Sequence, residues 1–378
     1  MAERRLKIGV LFGGRSGEHE VSLQSARSVL ANLDGQKYEV TQIGITHAGA
    51  WLVGQDVLEA LQADQLLELE EAVLLPEPTR QSLYRIIAMN GQQVLSELAG
   101  LDVVFPVLHG TFGEDGALQG LLELADLAYV GAGVLGSALG MDKGVFKDVM
   151  RANDIPVLES LIALRTEIEQ DMQQVLARAE NLAAYPLFVK PANLGSSVGI
   201  TKCRTRSDLM EGLIEAARYD RRVLIERGIE AREIEVSVLG NDDPQVSVPG
   251  EIIPSREFYS YESKYLDGTS SLLIPAPLSA EVFQCVQEYA RKAYRVIDCA
   301  GMARVDFLLD KQHQGRAGEG LYLGEVNTIP GFTEISMYPK LWEASGLSYP
   351  ALLDRLIELA LARKAQRDQL VRQYRRED

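Results

Sequence analysis

Several features that would place a protein in a special class are absent from this sequence. Its 378 residues contain three cysteines, and Cys203, Cys285 and Cys299 form no CxxC pair. Neither a disulfide framework nor a zinc site is indicated, and we interpret these residues as small core side chains. No apolar run reaches the roughly 18 to 20 residues that span a bilayer. Because the amino terminus leads into a strand-like stretch instead of a signal peptide, we expect a cytoplasmic protein without a membrane partner.

Positive charge is also scarce. Lysine and arginine number 38 against 54 acidic residues, giving a formal net charge of -16. Sequence-independent nucleic-acid binding needs clustered basic residues, so we expect no nucleic-acid partner. The dense basic run lies in the tail, from Arg363 to Arg376, and its interspersed acids and amphipathic spacing favour a solvated helix end over an interaction arm. A site that handles phosphate must therefore use a few well-placed cations.

The composition predicts a folded, soluble enzyme of more than one domain. Apolar residues make up 46% of the chain and charged residues 24%, which excludes a disordered class. The chain is too long for one ordinary domain and long enough for two or three, each with its own core.

The first part of the chain predicts an open α/β sheet. The strand-like LKIGVLF is followed by the glycine-rich GGRSGEHE, an amphipathic stretch and the strand-like YEVTQIGIT. A second apolar run, LDVVFPVLHG, ends in a loop of similar character. Ligands collect at the carboxyl ends of strands in such sheets, so residues 13–20 and 109–115 are candidate binding loops.

Changes of pattern divide the rest of the chain. We place one boundary near Met141, after which helices and strands alternate, and another near Glu233, where a new strand series begins. The aperiodic stretch at 254–277 exceeds ordinary connection lengths, and its tyrosines favour a functional lid over disorder. From Ser279, a helical N-cap, the pattern becomes helical. The predicted units are a substrate-binding domain, a central domain, a carboxy-terminal domain and a charged tail, at 1–141, 142–233, 234–362 and 363–378.

Two adjacent strands carry the most informative spacing, with Arg304-x-Asp306 on one and Glu325-x-Asn327 on the other. Alternate residues of a strand point to the same face, so the four side chains should form one cluster. Carboxylate and amide oxygens are hard ligands suited to Mg²⁺, and an adjacent arginine neutralises charge on a transferred group. The alternative is a surface strand pair with ordinary salt bridges.

A second constellation is the run FVKPANLGSSVG, in which Lys190 ends a strand and Gly195 begins a turn rich in backbone donors. Such a turn can close over phosphates, although a purely structural turn is the alternative. It is not a Walker A loop, because the lysine precedes the glycines.

The loop near the amino terminus has adjacent glycines where a dinucleotide fingerprint has G-x-G, which makes nicotinamide binding a weak hypothesis. Glu18 is either an anionic partner for a substrate ammonium or a complement to the helix dipole. His109, at a strand end, is the candidate functional histidine. We interpret the other three, His19, His47 and His313, as surface or local structural residues.

Taken in order, GGRSGEHEVS, HGTFGEDG, MDK, KPANLGSSVG, RVDF and GEVNTIPGFTEIS resemble the D-alanine:D-alanine ligases of the ATP-grasp superfamily. The resemblance covers nearly the whole chain, and HEVS combined with NTIPGFTEIS is its most specific part. It implies an α/β fold of three domains, with an amino-terminal open α/β domain and ATP held between the central and carboxy-terminal domains.

The resemblance implies a nucleotide site residue by residue. Lys143 and Lys190 would contact the ATP phosphates, and Ser197 would belong to the closing loop. Glu226 and the backbone after it would meet adenine, while Glu233 would bind the ribose hydroxyls. Two Mg²⁺ ions, for which Mn²⁺ can substitute, would be held by Asp306, Glu325 and Asn327.

The resemblance also implies two amino-acid subsites. Glu18 would bind the first D-alanine's ammonium, within a hydrogen-bonded set that includes Ser196 and Tyr265, and His109 would lie beside it. Arg304 and the Gly331 N–H would hold the oxyanion of the second step, and Ser336 would meet the second D-alanine's carboxylate. Lys264, on the predicted lid, would reach the transferred phosphoryl group.

The implied activity is ATP-dependent joining of two D-alanine molecules through an acyl phosphate, in a homodimer, for cell-wall precursor synthesis. Tyr265 favours D-alanine as the second substrate over depsipeptide formation. The alternatives are a different ATP-grasp ligase, a nucleotide-binding regulator without catalysis and, more remotely, a nicotinamide dehydrogenase. The segment at 55–93 departs from the family pattern but touches no motif.

Overall fold

The computed structural model describes residues 4–195, 198–253, 271–313 and 319–371. Several predicted features lie outside these residues: Ser196, Ser197, Lys264, Tyr265, most of the predicted lid (254–270) and the end of the tail (372–378). Three β-sheets follow one another along the chain, each with its own helices. No helix among the described residues is both long and apolar enough to cross a bilayer.

The first sheet has the strand order β6-β5-β4-β3-β2-β1-β7-β8. Its strands are β1 Leu6–Gly13, β2 Tyr38–Ile45, β3 Trp51–Val53, β4 Glu70–Leu74, β5 Ser82–Met89, β6 Gln92–Gly100, β7 Val103–Pro106 and β8 Ala128–Tyr129. Helices α1 His19–Asn32, α2 Val57–Gln62, α3 Ala117–Leu124 and α4 Val134–Met141 accompany them. The pairs β1–β2, β1–β7 and β7–β8 are parallel, so the predicted open α/β sheet is confirmed.

The remaining strands of this sheet continue it in antiparallel fashion. The segment at 55–93, which departs from the family pattern, forms α2, β4, β5 and the start of β6. The central strands are buried along most of their length, whereas β6 alternates between exposed and half-buried residues. This difference fits a buried parallel centre and an antiparallel edge with one solvated face.

The second sheet has the order β11-β10-β12-β9. It contains β9 Ser160–Leu164, β10 Leu187–Pro191, β11 Thr201–Cys203 and β12 Arg222–Arg227, with helices α5 Lys143–Ala152, α6 Arg165–Gln170, α7 Met172–Leu182 and α8 Arg206–Tyr219. Asp142 separates α4 from α5, because its carboxylate accepts hydrogen bonds from the backbone N–H groups of Gly144 and Val145. This N-cap starts α5 at Lys143.

The third sheet has the order β16-β15-β13-β17-β18, with β14 beside β13. Its strands are β13 Ala231–Gly240, β14 Gln245–Val246, β15 Gly250–Ile253, β16 Ser271–Leu273, β17 Gly301–Asp310 and β18 Leu321–Asn327. Helix α9 Ala280–Val296 begins after Ser279, whose hydroxyl caps the N–H of Val282 as predicted. Helices α10 Met337–Ala344 and α11 Tyr349–Asp368 complete the described chain.

Helix α11, from the carboxy-terminal part of the chain, packs against the first sheet. Its buried leucines share one core with apolar residues of β1 and β7 in the first sheet. The interpretation of the tail as a solvated helix end is wrong for its first turns. Lys364 and Arg367 pair with Asp126, and Arg367 also pairs with Glu123. Glu123 lies on α3, and Asp126 follows that helix. Their acidic partners are distant in sequence, so local charge spacing gave no sign of this contact.

Candidate active site

A cavity at the meeting point of the three sheets brings together residues predicted from separate motifs. Its lining includes seven of the candidate site residues: Glu18, Lys143, Arg304, Glu325, Asn327, Gly331 and Ser336. They come from the start of α1, the start of α5, strands β17 and β18, and the segment between β18 and α10. No single domain supplies this set, so the cavity depends on how the three units pack.

Strands β17 and β18 hold the predicted oxygen ligands in the expected register. They are antiparallel, with Arg304 opposite Asn327 and Asp306 opposite Glu325. The Arg304 guanidinium donates to both Asp306 oxygens, at 2.7 and 2.6 Å. Its Nε also lies 3.0 Å from Oε2 of Glu235, which faces Asp306 from β13. The strand pair therefore carries salt bridges, but they lie at a cavity instead of on an open surface.

The donors on β18 fit a hard cation. Oδ1 of Asn327 is buried and has no hydrogen-bond partner in the described part of the chain. A buried amide oxygen without a partner is costly, and a metal ion is one way to satisfy it. Glu325 lines the same cavity. Asp306, opposite Glu325, completes a set of oxygen donors of the kind that Mg²⁺ prefers.

Glu18 stands where two domains approach each other. It precedes α1, and its side chain makes no capping hydrogen bond to that helix. Its carboxylate therefore does not serve as a helix cap. A Cβ built on Gly110 would lie 2.6 Å from Oε2 of Glu18, and one built on Gly195 would lie 2.5 Å from the same oxygen. A side chain at either place would require the Glu18 carboxylate to shift. Glu18 thus joins the amino-terminal loop to the start of the glycine-rich turn.

Glu114 is a second buried carboxylate beside Glu18, and the sequence reasoning did not single it out. Its oxygens accept hydrogen bonds from the N–H of Gly110, at 2.6 Å, and of Ile329, at 3.3 Å. Burial and the neighbouring charge of Glu18 hold the pKa of Glu114 well above its usual range. Its position within the motif HGTFGEDG could have indicated Glu114 as a site residue. The pair gives this end of the cavity an affinity for a cationic group such as an ammonium.

His109 is buried behind this pair. Its Nδ1 lies 3.0 Å from the carbonyl oxygen of Ile329, and its Nε2 lies 3.1 Å from Oγ of Ser25. Because a carbonyl oxygen can only accept, Nδ1 carries the proton, and the neutral ring then accepts at Nε2 from the Ser25 hydroxyl. Ser25 Oγ also accepts from the N–H of Phe332 at 3.2 Å. Burial lowers the pKa of His109 to about 4. His109 is thus a neutral link between domains, and Ser25, which the sequence did not indicate, completes it.

The carboxy-terminal part of the cavity is shaped by the turn that precedes α10. Ser336 Oγ accepts from the N–H of Thr333 at 3.0 Å and lies 2.7 Å from Oγ1 of that threonine. A Cβ on Gly331 would lie 2.9 Å from Ser336 Oγ. The turn therefore holds the Gly331 backbone and the Ser336 hydroxyl next to each other, at the N-terminus of a helix, where an anionic group is favoured.

The second sheet and its first helix contribute a group of lysines. Lys143 lines the cavity, and its Nζ donates to the carbonyl of Leu194 at 2.6 Å, which joins α5 to the glycine-rich turn. Lys190 and Glu226 are not among the residues that line the cavity. Lys190 Nζ lies 2.6 Å from Oε2 of Glu226, and Lys147 Nζ contacts the other oxygen of the same carboxylate. Both Glu226 oxygens therefore pair with lysines.

Several residues play parts other than those the sequence indicated. Lys147 and Glu235 were not predicted, although Lys147 lies one helical turn after Lys143. His19, interpreted as a surface or local structural residue, is buried and its Nδ1 lies 2.8 Å from the carbonyl oxygen of Gly14, so the local role is the right one. Glu233 does not line the cavity, but its charge helps to raise the pKa of Lys190.

Two α/β units with a lysine cluster on one and carboxylate-bearing strands on the other, next to an open α/β domain, define an ATP-grasp enzyme. A family profile described as "D-ala D-ala ligase N-terminus" matches residues 7–132, and one described as "D-ala D-ala ligase C-terminus" matches 149–358. The D-alanine–D-alanine ligase of Natranaerobius thermophilus is 48% identical over 367 residues, 97% of each chain. This chain belongs to the D-alanine–D-alanine ligase family.

Solved structures agree with this placement. The D-alanine-D-alanine ligase from Coxiella burnetii has a TM-score of 0.81 at 40% identity, and the alignment covers 98% of each chain. The VanG D-Ala:D-Ser ligase from Enterococcus faecalis has a TM-score of 0.80 at 35% identity, covering 94% of this chain and 100% of that one. The predicted ATP-grasp fold is confirmed.

Proposed function

We propose that this protein joins two D-alanine molecules to D-alanyl-D-alanine, with ATP converted to ADP and phosphate, for peptidoglycan precursor synthesis. The observation that carries the proposal is the cavity in which Glu18, Lys143, Arg304 and Ser336 meet the oxygen donors of β18. It offers anionic groups for an ammonium at one end and cationic groups for phosphates at the other. Family membership supports the same activity.

The reaction would proceed in two steps, phosphoryl transfer and then acyl transfer. A carboxylate oxygen of the first D-alanine attacks the γ-phosphorus of ATP, the bond to the β-phosphate oxygen breaks, and ADP leaves. The uncharged amine of the second D-alanine then attacks the carbonyl carbon of the D-alanyl phosphate. The tetrahedral intermediate expels phosphate, and the amine loses its proton. Both steps build negative charge, which preorganised cations and N–H donors stabilise at low reorganisation cost.

Each residue's role follows from its place. Glu18 would hold the first ammonium, since its carboxylate lies between two glycine-lined loops. Arg304 and the Gly331 N–H would stabilise the oxyanion, and Ser336 would bind the second carboxylate. Lys143 and Lys190 would bind phosphates. Ser196, Ser197, Lys264 and Tyr265 remain proposals from the sequence resemblance alone.

We propose that Asp306, Glu325 and Asn327 hold two Mg²⁺ ions, with Mn²⁺ as a substitute. The partnerless Asn327 oxygen supports this assignment. The ions would offset negative charge on the nucleotide phosphates. Arg304 now engages both Asp306 oxygens, and a carboxylate has lone pairs for a further partner.

The homodimer and the cytoplasmic location are proposals from the same resemblance. Light scattering after size-exclusion chromatography would test the first, because a mass near twice 41.6 kDa is expected. A single-chain mass across the working concentration range would rule it out.

The decisive experiment measures phosphate release from ATP and Mg²⁺, with products identified by mass. The acceptors are D-alanine, L-alanine, D-serine and D-lactate, the last two each with D-alanine. Turnover with D-alanine alone, giving the dipeptide, is expected. Preference for D-serine or D-lactate would keep the mechanism but replace the second substrate. Nucleotide binding without turnover would favour a regulator.

A further inference from the structure

The lysine cluster at the nucleotide side contains one residue for which the proposed mechanism has no role. Lys147 lies on α5, and its side chain is 3% exposed. It contacts Oε1 of Glu226, while Lys190 contacts Oε2. No other carboxylate in the described ranges forms an ion pair with Lys147. The cluster thus joins α5, β10 and β12 through one carboxylate.

Strand register explains why these side chains meet. On the antiparallel pair β10–β12, Phe188 lies opposite Glu226 and Lys190 opposite Leu224. Lys190 and Glu226 are therefore diagonal neighbours on one sheet face, within reach of long side chains. Helix α5 places Lys147 against the same face, one turn after Lys143. The geometry is set within one domain and does not depend on how the domains pack.

The cluster carries an excess of positive charge. Burial alone would raise the pKa of Glu226, but the two lysines outweigh it and hold this pKa at about 2. Burial would lower the pKa of Lys190, yet Glu226, Glu325 and Glu233 raise it. Burial lowers the pKa of Lys147, and the contact with Glu226 opposes that change. Two lysines thus share one carboxylate. An unbalanced charge in a buried place is unfavourable until an anion arrives.

Lys190 is the most exposed member of the cluster, since its side chain is 21% exposed whereas those of Lys147 and Glu226 are almost fully buried. Without Lys147, Glu226 would have both oxygens available for Lys190. The remaining pair would be neutral, and its ammonium would be drawn further toward Glu226. Both changes weaken attraction for phosphate.

We propose that Lys147 is a positioning residue for the nucleotide: it occupies one oxygen of Glu226, so that Lys190 stays partly exposed and the cluster keeps a net positive charge. The inference rests on the proposed function, from which Lys190 takes its role as a phosphate contact. Lys147 itself needs no contact with substrate. A buried lysine that serves only packing would instead affect stability and both substrates alike.

The test compares Lys147→Met with Lys147→Arg and with Arg151→Met, which removes a more exposed cation from the same helix. Steady-state kinetics gives KM for ATP and for D-alanine, and calorimetry gives the affinity for ADP. For Lys147→Met, we expect KM for ATP and Kd for ADP to rise about tenfold. KM for D-alanine and kcat should change by less than about threefold. Lys147→Arg should fall between, and Arg151→Met should match the wild type.

A second variant, Lys147→Gln, keeps the proposal falsifiable if Lys147→Met does not fold, because its side chain is polar but uncharged. Its ADP affinity should fall about tenfold, as for Lys147→Met. Unchanged ADP affinity in either variant would overturn the inference, as would an equal loss for both substrates. Wild-type protein that binds ADP but makes no dipeptide would instead refute the proposed function.

Discussion

The two proposed binding regions are built in different ways. In the proposed nucleotide region, Lys147, Lys190 and Glu226 come from one sheet and its helix, and strand register alone brings the two strand residues together. At the amino-acid end, Glu18 lies against glycines from two domains, and Glu114 bonds to the backbone of a third. One end is local and positively charged, whereas the other is assembled and rich in carboxylates.

The two constructions predict different sensitivities to domain packing. The contribution of Lys147 and Lys190 to phosphate binding depends on contacts within one sheet and its helix, so it should survive small changes in domain packing. Ammonium binding and the acyl-transfer geometry depend on three domains at once, and a shift of about 1 Å in such a site can cost 10²-fold in rate. Substitutions at the two ends should therefore separate effects on ATP from effects on D-alanine.

We expect the greatest loss of activity at Arg304, which lines the cavity. Arg304→Ala removes the guanidinium that we propose to stabilise the developing oxyanion, and it leaves Asp306 and Glu235 without this partner. We expect kcat to fall about 10²- to 10³-fold, with little change in ADP affinity. Rapid-quench kinetics and calorimetry would measure the two. Arg304→Lys, which keeps the charge but not the bidentate geometry, should recover part of the rate, and unchanged turnover in Arg304→Ala would remove this residue from the catalytic set.

The next effect tests the assembled end alone. Gly195→Ala places a methyl group 2.5 Å from Oε2 of Glu18, so either the loop or the carboxylate must move. We expect KM for D-alanine to rise roughly tenfold to 10²-fold, while ADP affinity stays nearly constant. Gly120→Ala is the matched control, because a Cβ there meets nothing within 4 Å. Equal behaviour of the two variants would show that Glu18 tolerates displacement.

The sequence predicted the pair of strands β17 and β18 but not the contacts between domains, because only the first is a local property. Alternation along β17 and β18 is a local property, so the cluster of Arg304, Asp306, Glu325 and Asn327 followed from spacing. The cap at Ser279 was local as well. The contact of Glu18 with Gly195 depends on the docking of separate domains, which no short-range pattern encodes. The family resemblance supplied those positions, but it did not indicate Ser25 or Glu114.

The buried histidine gives a test of the domain link through pH. An unfolded histidine titrates near pH 6.5, whereas burial lowers the pKa of His109 to about 4. Between these values the unfolded chain binds more protons, so the free energy of unfolding falls as the pH falls. From pH 7 to 5, wild type should lose about 2 kcal/mol more than His109→Gln. Urea unfolding at both pH values measures the difference, and equal losses in the two proteins would show that His109 is not held neutral.

We expect the mildest change from the contact between helix α11 and the amino-terminal domain. Arg367 of α11 pairs with Glu123 and Asp126 of the amino-terminal domain, and its side chain is 21% exposed. Partly exposed pairs contribute at most about 1 kcal/mol, so Arg367→Ala should raise KM for D-alanine by less than about fivefold. KM for ATP should not change, because the lysine cluster lies within another domain. Arg355→Ala, which breaks a pair with Glu358 inside the same helix, should leave both constants unchanged. If Arg367→Ala raised both KM values equally, the nucleotide end would also depend on domain packing.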